Sequence, residues 1–175
     1  ESTSLQKKVI NSHQNMEAIF HTVDVLKQDL TRCGMRLKEA FSSFNIQVFE
    51  NSAQHFKVTY GVEDEPILEN CWQGESTINI TKNDFFTKNK KILIYDREKE
   101  KYEFNQIKDH KGNLLILTDK LVHDYQKNSN VVIIKEVEYK IYPKQKTLKR
   151  KVNKGYFQPL IDNVTDFYIK YYPES

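Results

Sequence analysis

The sequence predicts an α+β protein in which a long N-terminal α-helix, residues 1–44, packs as a spine against an antiparallel β-sheet head, residues 45–175. Three observations predict it. Apolar residues recur at helical period from Leu5 to Phe44. Beyond Phe44 the apolar period changes to two. No later stretch alternates strand patterns with helical ones, which excludes a doubly wound nucleotide-binding fold.

The helical stripe runs through Leu5, Val9, Met16, Ile19, Phe20, Val23, Leu26, Leu30, Cys33, Leu37, Phe41 and Phe44. The opposite face carries Lys7, Lys8, Asp24, Lys27, Gln28, Arg32, Lys38 and Glu39. No Pro interrupts the stretch, and Gly34 is its one weak helix former of note. A helix of about forty residues is roughly 60 Å long. The remaining chain would make a globule only about 36 Å across. The helix therefore overhangs its own head by roughly 20 Å, at its N-terminal end. The ridge Leu26, Leu30, Cys33, Leu37 and Phe41 is expected to pack on the sheet. Leu5, Val9, Met16, Ile19, Phe20 and Val23 are left as an assembly interface for other helices. Thr3 with Gln6 fits a capping box and a genuine helix start, whereas Glu1–Ser4 also reads as the cut edge of a longer helix.

The head follows in short alternating segments. Ile46 and Val48, then Phe56, Val58, Tyr60 and Val62, read as half-buried strands. Gly61, the acidic run Glu63–Glu65 and Pro66 read as a loop continuing to Gly74, with Cys71 and Trp72 pinning it over something apolar. Ile78 and Ile80 make a short strand. Hairpin signals come next: Ile92–Tyr95, the charged turn Asp96–Glu100, then Tyr102 and Phe104. Asp109, Lys111 and Gly112 turn the chain into Leu114–Leu117. Val131–Ile134 continues through Val137, Tyr139 and Ile141, and Pro143–Lys146 turns into Leu148, Arg150 and Val152. The chain closes with Val164, Phe167, Ile169 and Tyr171, for roughly eight strands in an antiparallel system.

Composition narrows the function classes. The 175 residues carry a net charge of +3 with both signs interspersed, a weak leaning toward anionic partners. The longest apolar runs are too short to cross a bilayer. The glycines are isolated, so there is no phosphate-cradling loop, and no serine sits in a nucleophile elbow. His13, His21, His55, His110 and His123 fall in no metal-ligand spacing, and Glu63, Asp64, Glu65 and Glu69 lack the spacing of a calcium loop. No catalytic residue, cofactor or metal site is assigned, and the chain reads as a non-enzyme. Cys33 and Cys71 match no metal pattern and stand open between a disulfide and two buried thiols. Lys144, Lys146, Lys149, Arg150, Lys151 and Lys154 lie among Tyr142, Tyr156 and Phe157, a pattern that can hold single-stranded nucleic acid. Strand alternation disperses those charges over two faces, and strand-edge charges also guard against aggregation, so nucleic acid ranks as a minor partner.

Two stretches carry a family resemblance. Leu26-Lys27-Gln28-Asp29-Leu30-Thr31-Arg32-Cys33-Gly34-Met35 resembles the "L-x-x-D-L-x-R-A-G-Y" signature of the PilW/GspJ class of minor pilins and pseudopilins. Val137-Glu138-Tyr139-Lys140-Ile141, then Leu148-Lys149-Arg150, then Leu160 through Val164 and Phe167 to Tyr171 resemble the closing region of that class, a "V-x-Y-x-I" strand, an "L-x-R" strand and "L-x-x-x-V-x-x-F-x-x-x-Y". The resemblance covers the helix and the last forty or so residues. Cys33 stands where the class has Ala, and Met35 where it has an aromatic. The prepilin-peptidase site and the apolar membrane segment of the class are missing from the sequence. The resemblance implies a soluble fragment of a structural subunit in the initiating tip complex of a type IV pilus or a type II secretion pseudopilus. The implied partners are other minor pilins or pseudopilins, the major subunit of the fibre and, through the missing segment, the inner membrane. No small-molecule substrate is implied, and the implied location is the bacterial cell envelope. The alternative is a periplasmic or surface ligand-binding β domain with a helical stalk, which a deep apolar pocket would favour.

Overall fold

Period-two segments become strands, and strands dominate the molecule. The structure is a computed structural model that describes residues 2–37, 49–52 and 54–165, with side chains described for 16–37 and 54–165. Its elements are α1 (Ser2–Thr31), β1 (Phe49–Ser52), β2 (His55–Pro66), β3 (Thr77–Asn79), β4 (Lys91–Asp96), β5 (Lys101–Lys111), β6 (Leu114–Leu117), β7 (Asn130–Tyr142), β8 (Thr147–Val152) and β9 (Gln158–Asp162). All the strand pairs with a defined register are antiparallel.

The structure overturns the fold class expected from the sequence. Among the described residues the protein is mostly antiparallel sheet with one helix that ends at Thr31, not a long spine sealed onto a sheet by an apolar ridge. The helix stops at Thr31, and residues 32–37 form turns. Gly34 takes φ 73° and Arg36 φ 56°, both left-handed, so helical hydrogen bonding cannot continue. The neighbouring β2 supplies the replacement partners. The Gly34 amide donates to the Thr59 carbonyl at 3.0 Å, and the Gly61 amide donates to the Met35 carbonyl at 2.8 Å. Leu37 is wholly buried, but in the turn and not on the helix. Phe41 and Phe44, the end of the expected spine, lie outside the described residues.

Chain contacts divide the protein into two compact units, a different partition from 1–44 and 45–175. One comprises residues 1–33, 49–58 and 137–175, the other residues 34–48 and 59–136. Strands β2 and β7 contribute one part to each.

In the unit built mainly from 59–136, the strand order is β2-β7-β4-β5-β6-β3. Ile92 and Ile94 of β4 point into a core with Ile107, Leu115, Tyr125 and Val131. Leu93 and Tyr95 point the other way, into a smaller cluster with Leu37, Val132 and Ile134. Central strands covered on both faces are uninterrupted apolar runs, which is why Ile92–Tyr95 and Val131–Ile134 lack alternation. The loop expected at Glu63–Pro66 is instead the end of β2. Arg36 Nη1 lies 3.1 Å from both Glu63 and Asp64, so acidic residues that would mark a solvated loop are held in a strand by a partner from the turn after the helix.

In the other unit the order is β1-β2-β7-β8-β9. Phe56 of β2 stacks on Tyr139 of β7 with centroids 4.5 Å apart and planes 5° from parallel. Leu148 of β8 stands opposite Ile141 of β7, and both are buried.

Candidate assembly surface on the helix

Helix α1 carries apolar residues on two faces, and one of the two is outside. Met16 is 50 % exposed, Ile19 50 %, Phe20 65 % and Val23 52 %. These four positions stand three, one and three residues apart, so they form one stripe about two turns long. The side chains of Leu5 and Val9 lie outside the described residues, although both positions belong to α1. The buried helix positions are Thr22 and Asp29, with Val25, Leu26 and Leu30 half-buried. At about 100° per residue the centre of this buried face lies roughly a third of a turn from the exposed stripe.

A polar contact sets that orientation. The Asp29 carboxylate is buried and receives the Tyr139 hydroxyl at 2.5 Å and the Arg150 guanidinium through Nε at 2.9 Å and Nη2 at 2.8 Å. Helix, β7 and β8 each contribute one of the three groups. A buried carboxylate needs a counter-charge and hydrogen-bond donors, and here it has both. Burial, together with the hydrogen bond and charge of Asp29, holds the Tyr139 phenol well above its ordinary range, while Arg150 opposes the shift. Burial alone would lower the Arg150 pKa, but Tyr139 and Asp29 outweigh it and hold the guanidinium more firmly charged. Turning the helix to bury Met16, Ile19, Phe20 and Val23 would strip Asp29 of this pair.

Asp29, Tyr139 and Arg150 stand in three separate motifs of the sequence, and of the three only Arg150 belongs to a candidate cluster there, the basic one. The available signal was an acidic residue between Leu26 and Leu30, on the face expected to be buried. Its partner lies 121 positions away, beyond the reach of helical spacing arguments.

The other sequence candidates fall as follows. Cys33 and Cys71 are present as thiols, so the disulfide left open by the sequence is not formed. Cys71 is buried, and burial followed by the charge of Glu75 pushes its thiol up to about 11. His55 Nε2 lies 3.3 Å from Glu138 Oε2, and His123 meets Tyr125 edge-on. Among the described residues, no three His, Cys, Asp or Glu side chains gather as a metal site, and no helix is long and apolar enough to cross a membrane. A cleft of about 270 Å³ opens beside His21, Arg150 and Tyr156, and another of about 270 Å³ lies beside Asp96 and Ser129. Charged and polar side chains line the second, whereas Val25, Val152, Pro159 and Leu160 share the first with the polar groups.

No family model matches the chain, and no curated protein matches it. Among solved structures, part of the chain is similar to the Gp54 tailspike of Acinetobacter baumannii bacteriophage AP22, in complex with A. baumannii capsular saccharide. The identity is 14 % and the TM-score 0.37, over 46 % of this chain and 15 % of the tailspike chain. A likeness of that degree carries no functional argument.

Proposed function

We propose that this chain is a non-enzymatic assembly subunit of the minor pilin or pseudopilin type, acting in the initiating tip complex of a type IV pilus or a type II secretion pseudopilus. The observation that carries the proposal is the exposed stripe Met16, Ile19, Phe20 and Val23. Apolar area on a helix is stabilised by burial, at about 25 cal/mol per Å². A stripe that its own sheet leaves bare is suited to the stripes of neighbouring helices, and helices packed by such stripes form a bundle. The reading needs this stripe only, and not a forty-residue spine.

A second observation supports it. Asp29, Tyr139 and Arg150 are polar positions in three of the four motifs that resemble the minor pilin class, and they meet in one hydrogen-bonded group. A shared structural contact is a physical reason for those motifs to occur together. The cleft beside Asp96 is lined by charged and polar residues and the one beside Arg150 by a mixture that includes Val25, Val152 and Leu160, so neither described cleft is the deep apolar pocket that would favour a ligand-binding domain. In this reading the partners are other minor subunits and the major subunit, and the protein works in the bacterial cell envelope.

The test is deletion of the gene followed by complementation with Phe20→Asp. Few fibres of normal length in both strains are expected, with Phe20→Asp keeping the melting temperature of the parent because the side chain is exposed. Normal numbers of short fibres would instead mark a shaft component. Unchanged fibres would refute the assembly role.

A further inference from the structure

Strands β7 and β8 pair so that Lys140 stands directly opposite Lys149. Like charges at opposed positions repel and weaken a hairpin. Both ammonium groups lie over the Tyr142 ring, 5.6 Å and 4.4 Å from its centroid. Along β8, Lys151 lies over Phe157 at 5.0 Å, and Phe157 meets Tyr142 edge-on at 6.0 Å. Side chains alternate along strands, so Glu138, Lys140 and Tyr142 share one face with Lys149 and Lys151. Tyr139 and Arg150 share the opposite face, the one that holds Asp29 of the helix. The connecting turn adds the exposed Lys144 and Lys146, and the exposed Lys154 follows β8. Two carboxylates adjoin this face. Glu138 is engaged by Lys151 at 2.6 Å and His55 at 3.3 Å, and Asp162 accepts the Thr147 hydroxyl at 2.7 Å.

We propose that this face of the β7–β8 hairpin docks on a membrane surface of anionic phospholipid headgroups. Charge complementarity carries the argument. A chain with a net charge of only +3 gathers Lys140, Lys144, Lys146, Lys149 and Lys154 on and around one hairpin of the sheet. The opposed pair Lys140–Lys149 makes a local repulsion that a phosphate between the two ammonium groups relieves. Single-stranded nucleic acid is the competing polyanion, but it binds by stacking bases on aromatic faces along a groove. Here the rings of Tyr142 and Phe157 are engaged by lysines. The proposal does not depend on the assembly reading.

Co-sedimentation of the purified chain with vesicles tests it. Vesicles of phosphatidylglycerol mixed with phosphatidylcholine should bind the protein, binding should fall as salt is added, and pure phosphatidylcholine vesicles should not bind it. Lys140→Gln with Lys149→Gln should weaken partition about 25-fold, two lysines each contributing about fivefold near an anionic surface. The same pair of changes at the exposed Lys88 and Lys90 is the control and should change little. Removing the opposed charges should leave the melting temperature unchanged or raise it, which separates loss of binding from loss of fold. Equal binding to neutral vesicles, or equal loss in the Lys88 and Lys90 variant, overturns the proposal. Tighter binding to oligothymidylate than to anionic vesicles at the same salt overturns it in favour of nucleic acid.

Discussion

Asp29→Ala should destabilise the unit that contains the helix more than any change on the exposed stripe. Asp29 is 3 % exposed, and its carboxylate is bound by two guanidinium nitrogens and one phenol. Its removal leaves Arg150 beside an empty site and a phenol without its acceptor. Breaking a fully buried ion pair costs about 3 to 5 kcal/mol. The Arg150 side chain is 25 % exposed, so water recovers part of that, and about 3 kcal/mol is expected. With a urea m-value of about 2 kcal/mol/M, the midpoint should fall by about 1.5 M. Far-UV circular dichroism follows helix and sheet, while Trp72, the single tryptophan, reports separately on the 59–136 unit. The companion variant Arg150→Met, combined with Asp29→Leu, replaces both charges by apolar groups and should recover most of the loss. A midpoint shift below about 0.5 M for Asp29→Ala would refute the role assigned to the pair. So would strict additivity of the two single changes, since coupled neighbours interact by about 0.5 to 3 kcal/mol.

Gly61→Ala should destabilise by about 1 to 3 kcal/mol, read as a lower thermal midpoint, because an added Cβ would sit 2.8 Å from Val132 Cγ1 and 2.9 Å from Arg36 Cβ. Burial pushes the Glu138 carboxyl up, but hydrogen bonds and charges from Lys151 and His55 outweigh it and hold the group below its ordinary 4.5. A depressed folded pKa adds stability above the unfolded value and loses it as pH falls through the folded one, so Glu138→Gln should lower the urea midpoint at neutral pH and match the parent in strong acid. Cys71, with its thiol pushed up to about 11, should take up iodoacetamide at neutral pH only after unfolding. The unreduced protein should show the mass of the dithiol form, and a mass two hydrogens lower would contradict the thiol state of Cys33 and Cys71.

By itself the sequence determined the centres of several strands and of the helix, because those depend on neighbours two to four residues away, but it did not reveal β9 at Gln158–Asp162. Alternation in Val137–Ile141 and the turn at Pro143–Lys146 make the β7–β8 hairpin legible, and the stripe from Leu5 to Phe44 makes α1 legible while overrunning its end at Thr31. It also placed Asp29, Tyr139 and Arg150 in separate motifs without joining them. The tertiary structure decided what ends each element and which face it buries. The helix ends at Thr31 because β2 offers Thr59 and Gly61 to the backbone of Gly34 and Met35, a bargain invisible in the apolar period. Glu63 and Asp64 stay in a strand because Arg36 neutralises them. The helix leaves Phe20 in water and buries Asp29 because Arg150 and Tyr139 meet that carboxylate, and a desolvated charge deprived of its partners costs more than one exposed apolar side chain.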